Sequence, residues 1–245
     1  MEYKNYQGES LRKYNLVYNK YLTPLHDVYV SLLDMKYMQH FFDNLEASKD
    51  ILKHIKIALK GSFEYGAKRG YIPLSYLEMF KLLDIKPTKK TKEVARAVFT
   101  PEEIRYLWDH SDDAIYKVIL FYIYTGLRFS ELKNAEWYDD HIHVTKAKTP
   151  AGIRDVPLSD KAKSLLPLPE IDYYNYRYAL QLLEKHTGTK HTAHDTRHTF
   201  ISLMTEAGVD ARIIKKIVGH ARGDITEDIY THISLLAMLE AVNKI

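Results

Sequence analysis

The chain has no cysteine among its 245 residues. That excludes disulfides, thiolate metal ligands and a cysteine nucleophile, and it fits a reducing, cytoplasmic setting. Also missing is any uninterrupted apolar run near the roughly 18 residues needed to span a bilayer, so no membrane partner is expected. Residues 1–10 lack the basic-then-apolar order of a secretory signal. Net charge is slight, at +3, but it is unevenly spread. Residues 1–98 hold 17 Lys and Arg against 11 Asp and Glu, a net +6. Residues 99–245 hold 18 against 21, a net −3. A basic first half suits a polyanionic partner. A lysine-rich solvated surface is the alternative that charge leaves open.

What is present is enough apolar material, 46%, for one large core or two modest ones. Tyrosine is abundant, at 20 residues. Interleaved with lysine, as in Leu11–Tyr21, it can bond phosphates or serve as an ordinary amphipathic core residue. Apolar residues at Met35, Met38, Phe41, Phe42 and Leu45 form a helical stripe, and Asp50–Tyr71 repeats it, with Gly70 as its stop. Leu74–Leu83 reads as one further short helix. A bundle of about four helices over residues 1–84 is expected. The apolar pattern lapses over residues 85–98, a basic stretch expected to be an interdomain linker. A second domain is expected over 99–245. It opens on Thr100-Pro101-Glu102-Glu103, with Thr as N-cap, Pro in the first turn and Glu three residues on. Ala114–Tyr124 is almost wholly apolar and must be a buried helix closed by Gly126. His141–Thr145 and Ile153–Leu158 alternate around Pro150-Ala151-Gly152 and read as a β-hairpin. Helices are expected over Asp172–His186, His194–Ala207 and, capped by Asp210, Ala211–Val218. The fold class is therefore mainly α with a small antiparallel sheet.

Four clusters in this second domain can carry chemistry. In Thr125-Gly126-Leu127-Arg128-Phe129-Ser130-Glu131-Leu132 a glycine ends a buried helix and delivers Arg128 just past it. An arginine on so rigid a support can hold a phosphate with two N–H donors. The alternative is a surface arginine that merely pairs with Glu131. The hairpin Lys146-Ala147-Lys148-Thr149-Pro150-Ala151-Gly152-Ile153-Arg154 places lysines near its tip, where they are either solvated or able to enter a DNA groove. In His194-Asp195-Thr196-Arg197-His198, His194 and Arg197 are three apart and share a helix face. Metal binding by His191, His194 and His198 is the rival there, although the zinc-protease pattern is not met. Last comes Val218-Gly219-His220, followed ten positions later by Tyr230 in Thr226-Glu227-Asp228-Ile229-Tyr230-Thr231-His232. A phenol with pKa ~10 attacks poorly unless cations and a base assist it.

In order along the chain these clusters give Arg128, Lys148, His194, Arg197, His220 and Tyr230. That order and its wording ("TGLRFSEL", "KTPAGIRDVPL", "HDTRHTF", "VGH…TEDIYTH") resemble the tyrosine recombinase, or phage integrase, family, and most of all the integrases of phages and conjugative transposons. The resemblance covers residues 99–245; residues 1–98 match only in size, helicity and position, as the family's core DNA-binding domain. It implies a site-specific recombinase that cuts and rejoins double-stranded DNA at specific core sites through a 3′-phosphotyrosine link, needing neither metal nor cofactor. Tyr230 is then the nucleophile and Arg128, Arg197 and His220 hold the phosphate. Lys148 becomes the general acid, in preference to Lys146, and His194 assists proton removal. The resemblance also implies a nucleoid-associated homotetramer joined through the apolar segment from Ile233 to Ile245, and it leaves room for a directionality factor. A type IB topoisomerase is the alternative function. Residues 1–245 leave no room for the additional N-terminal arm-binding domain of many integrases, so a short member or a fragment is expected.

Overall fold

The computed structural model describes residues 8–88, 97–147, 149–219 and 233–245. The backbone gathers into two compact units, Met1–Val94 and Ala95–Ile245.

In the first unit, helices α1 (Gly8–Tyr21), α2 (Met35–Asp43) and α3 (Lys49–Lys68) surround a core that includes Val17, Met38, Phe42, Leu52, Ile55 and Phe63. Asp34 caps α2 by accepting from the Tyr37 N–H at 2.8 Å. The sequence predicts a single helix over Leu74–Leu83. The structure has instead a 3₁₀ turn, Leu74–Leu77, and a one-turn helix α4, Met79–Leu82. No side chain caps either piece, and the outer residues Leu74 and Leu82 stay exposed, so nothing rewards continuing one helix through Glu78. The Gln39 side chain ties the end of this stretch down, giving a hydrogen bond to the Asp84 carbonyl (2.8 Å) and taking one from its N–H (3.0 Å).

The second unit is built around α6 (Ala114–Thr125), whose Ile119, Leu120, Phe121 and Ile123 are fully buried. A helix apolar on all faces must be wrapped. It is wrapped by α5 (Pro101–Asp109), α7 (Asp160–Ser164), α8 (Tyr173–Thr187) and α9 (Asp195–Glu206). The capping box at the start of α5 is formed: the Glu103 N–H donates to Thr100 Oγ1 and the Thr100 N–H to Glu103 Oε2. Gly126 ends α6 in the left-handed conformation, φ +64°. A Cβ there would lie 2.5 Å from Phe200 Cδ1, so both the turn and the close approach of α9 require glycine.

The hairpin forms from β2 (His141–Val144) and β3 (Arg154–Pro157), antiparallel, with His141 opposite Pro157 and Val144 opposite Arg154. A third strand, β1 (Ala135–Trp137), pairs with the other edge of β2 and was not anticipated. Helix α10 (Ala211–Val218) packs on β3 and α9. Helix α11 (Leu235–Val242) buries Met238, Ala241 and Val242 in the core of its own unit, beside β3. Just past it, the Asn243 side chain accepts from the Asp160 N–H at 2.8 Å. Among the described residues no helix is long and apolar enough to cross a membrane.

Candidate active site

The first of the six expected site residues leaves α6 through the Gly126 turn. Arg128 donates from its backbone N–H to Glu131 Oε2 at 2.9 Å and from Nη1 to Oε1 at 2.5 Å. The pairing with Glu131 is formed, and the Arg128 side chain keeps 35% exposure.

Glu131 is buried, and its carboxylate is shared. Arg154 of β3 approaches both of its oxygens, Nη1 to Oε1 at 3.2 Å and Nη2 to Oε2 at 3.0 Å. Burial alone would push the Glu131 carboxyl up, but the Arg154 guanidinium, with help from Arg128, holds it below the usual carboxylate range. Arg154 also donates from Nη1 to the Gly152 carbonyl (2.8 Å) and from Nε to the Ile217 carbonyl (2.5 Å). Sequence reasoning gave Arg154 no role, although the signal was there. Strand alternation puts position 154 on the same face as the buried Val156 and Leu158, where a charge must find partners.

Arg197 comes from the first turn of α9 and is buried. One guanidinium nitrogen donates to the Gly126 carbonyl at 2.9 Å and the other to the Val218 carbonyl. Arg154 and Arg197 thus cap adjacent carbonyls at the C-terminus of α10, the end where a helix favours cations. Gly219 follows at φ +64°, and a Cβ on it would lie 2.7 Å from the Ala151 carbonyl oxygen and 2.9 Å from Arg154 Cδ. The arginine cluster, the hairpin turn and the segment entering His220 meet at this glycine. Burial first, then the nearby charges of Arg128 and Arg154, push Arg197 down to about 9, with Glu131 acting against them. Three guanidiniums around one carboxylate leave an excess of positive charge, which an anion would neutralise.

His194 is the N-cap of α9, three residues before Arg197, exposed and making no capping hydrogen bond. Lys146 is exposed two residues past the end of β2. Lys148, His220 and Tyr230 lie outside the described residues. Neighbours of Lys148 and His220 lie at the cluster, and Ile233, three residues after Tyr230, bonds to α10. Gly152 packs against Ala147, and Gly219 sits on Ala151 and Arg154. On the far side of Tyr230, the Ile233 carbonyl accepts from Lys216 Nζ of α10 at 2.8 Å. The rival metal reading of the histidines finds no support here. His191 turns into the core, its Nε2 3.1 Å from Glu103 Oε1 and its ring stacked on Phe99 at 3.8 Å. Among the described residues no three His, Cys, Asp or Glu could hold a metal ion together.

Known proteins are similar to this chain in sequence and fold. The phage integrase family model matches residues 169–235. Tyrosine recombinase XerA of Pyrococcus horikoshii is 27% identical, over 85% of this chain and 84% of its own. Tyrosine recombinase XerC of Caldanaerobacter subterraneus is 28% identical, over 67% of this chain and 56% of its own. Among solved structures, the Tn1549 transposon integrase in complex with transposon right end DNA superposes with a TM-score of 0.62 at 16% identity, covering 95% of this chain and 92% of that one. The same integrase in complex with circular intermediate DNA also gives 0.62. Helices around a small antiparallel sheet, with guanidiniums gathered beside it, have the fold of a tyrosine recombinase catalytic domain. In sequence and in fold the chain is similar to the tyrosine recombinases, with residues 169–235 matching the phage integrase family.

Proposed function

We propose that this chain is a site-specific DNA recombinase that acts through a phosphotyrosine intermediate on Tyr230, with Arg128 and Arg197 holding the scissile phosphate. The observation that carries this reading is the arginine cluster: Arg128 half open to solvent, Arg197 buried beside it, and one carboxylate, Glu131, between three guanidiniums. Such preorganised donors stabilise the extra negative charge on a five-coordinate phosphorus. The Tyr230 oxygen attacks phosphorus and the bond to the 5′ oxygen breaks. Lys148 gives that oxygen a proton, and His194 takes the proton of the phenol. Attack by the 5′ hydroxyl of another strand reverses these transfers and frees the tyrosine. His220 adds a donor to the phosphate. These roles rest on the family order of the residues.

Duplex DNA is the proposed partner, supported by the DNA complexes of the Tn1549 integrase. Residues 1–84 would hold the core site and the basic stretch 85–98 would cross its backbone. A ring of four protomers is proposed with it, a directionality factor being an optional addition. Because α11 spends Met238, Ala241 and Val242 on its own unit, its Leu236, 66% exposed, is the apolar residue offered to a neighbour. No observation favours the topoisomerase alternative.

The test is covalent trapping. A nicked duplex bearing a site selected from a random pool by binding is incubated with the protein and EDTA, and cleavage releases a short strand that diffuses away. A protein–DNA adduct on a denaturing gel, absent with Tyr230→Phe, is expected. An adduct that survives this substitution would assign the nucleophile elsewhere.

A further inference from the structure

Arg154 touches the described segments that lead to three of the proposed catalytic groups, Arg128, Lys148 and His220. It meets Glu131 through both carboxylate oxygens, and Glu131 in turn holds the backbone and side chain of Arg128. Its Nη1 bonds the Gly152 carbonyl, in the turn of the hairpin that carries Lys148. Its Nε bonds the Ile217 carbonyl at the end of α10, three residues before His220, and its Cδ packs against Gly219. The residue is only 8% exposed. Its donors go to protein acceptors and its side chain is 5% exposed, against 35% for Arg128.

We infer that Arg154 is a positioning residue for strand cleavage: one buried guanidinium sets the mutual placement of the Arg128 loop, the Lys148 hairpin and the α10 end that leads into His220. It does not touch the phosphate. The inference rests on the proposed phosphotyrosine reaction. Only a planar, forked donor set can meet two carboxylate oxygens and two carbonyls at once, so lysine cannot stand in for it. Misplacing catalytic groups by about 1 Å can cost ~10²-fold in rate.

The experiment measures single-turnover adduct formation on the same nicked duplex, with DNA affinity measured separately by gel shift. Arg154→Met leaves Glu131 buried with fewer partners and can cost folding, so Arg154→Lys and the double variant Arg154→Met/Glu131→Gln are made beside it. Circular dichroism melting selects the folded ones. In folded variants the cleavage rate is expected to fall roughly 10- to 100-fold while DNA affinity stays within about threefold. The lysine variant should not recover the rate. A purely structural role would lower the melting temperature without touching the rate per folded molecule.

A second readout is coupling to Arg128. In an Arg128→Ala background, adding Arg154→Met should cost several-fold less than it does in the parent, because one of the three segments it orders no longer carries its catalytic side chain. Cleavage by a folded Arg154 variant within about threefold of the parent overturns the inference, as does a fully additive loss in that background. If the parent itself forms no adduct, the functional reading fails first, and this inference with it.

Discussion

Arg197 donates to the carbonyl of Gly126 at 2.9 Å, so the turn that launches Arg128 is also the ledge on which the second arginine rests. The two proposed phosphate-binding arginines are thus set by one peptide. Gly126→Ala would force a side chain into a left-handed turn and against the Phe200 ring. A loss on the order of 2 kcal/mol in unfolding free energy is expected by urea titration. Adduct formation should drop even at temperatures where the variant is folded. A folded variant with parental stability and rate would show that the peptide has no such part.

Truncating either arginine should separate catalysis from binding. Arg128→Ala or Arg197→Ala is expected to slow cleavage roughly 10²-fold or more, as does the loss of an oxyanion donor. DNA affinity, spread over many phosphate contacts, should change far less. Arg197→Ala should also lower the melting temperature, because it frees the Gly126 and Val218 carbonyls in a buried place. Near-normal cleavage by both variants would sink the clamp.

The elements with a strong period or an explicit cap were the legible ones. Ala114–Thr125 announced itself by having no polar face, and Thr100 to Glu103 by the reciprocal spacing of a capping box. Two parts were hidden for physical reasons. Strand β1 is three residues long with only partial burial, too short for alternation to register. Arg154 was hidden because an isolated strand shows which residues share a face, while only the packed structure shows that Glu131 and the end of α10 wait on that face. The single helix expected over Leu74–Leu83 is broken in two, and its outer apolar residues, Leu74 and Leu82, stay exposed.

An anion should bind the arginine cluster in proportion to the charge on Arg197. Its value near 9 lies below the ordinary arginine value, so folding disfavours its charged form. That unfavourable contribution is complete below pH 9 and fades as the pH rises from there towards the unfolded value. A bound anion offsets it while the charge persists. Inorganic sulfate should therefore raise the melting temperature of the parent at pH 7 more than that of Arg197→Met at equal sulfate, which removes the general salting effect. The difference should shrink as pH passes about 9. Equal gains for both proteins from pH 6 to pH 10 would refute anion binding at Arg197.

The assignment of Lys148 over Lys146 can be decided by the leaving group. A lysine that protonates the departing 5′ oxygen becomes dispensable when that oxygen is replaced by sulfur, because a thiolate leaves without a proton. On a nicked duplex with oxygen at this position, Lys148→Ala is expected to slow adduct formation roughly 10²-fold, within the range of a lost general acid. With bridging sulfur the same variant should approach the parental rate. Arg128→Ala should stay slow on both duplexes, because the charge it stabilises sits on the non-bridging oxygens. Lys146→Ala, at an exposed position two residues past the end of β2, should cleave the oxygen duplex almost normally. If the sulfur duplex rescues Lys146→Ala and leaves Lys148→Ala slow, the acid is Lys146, and the hairpin presents its lysines in the opposite sense to the one proposed.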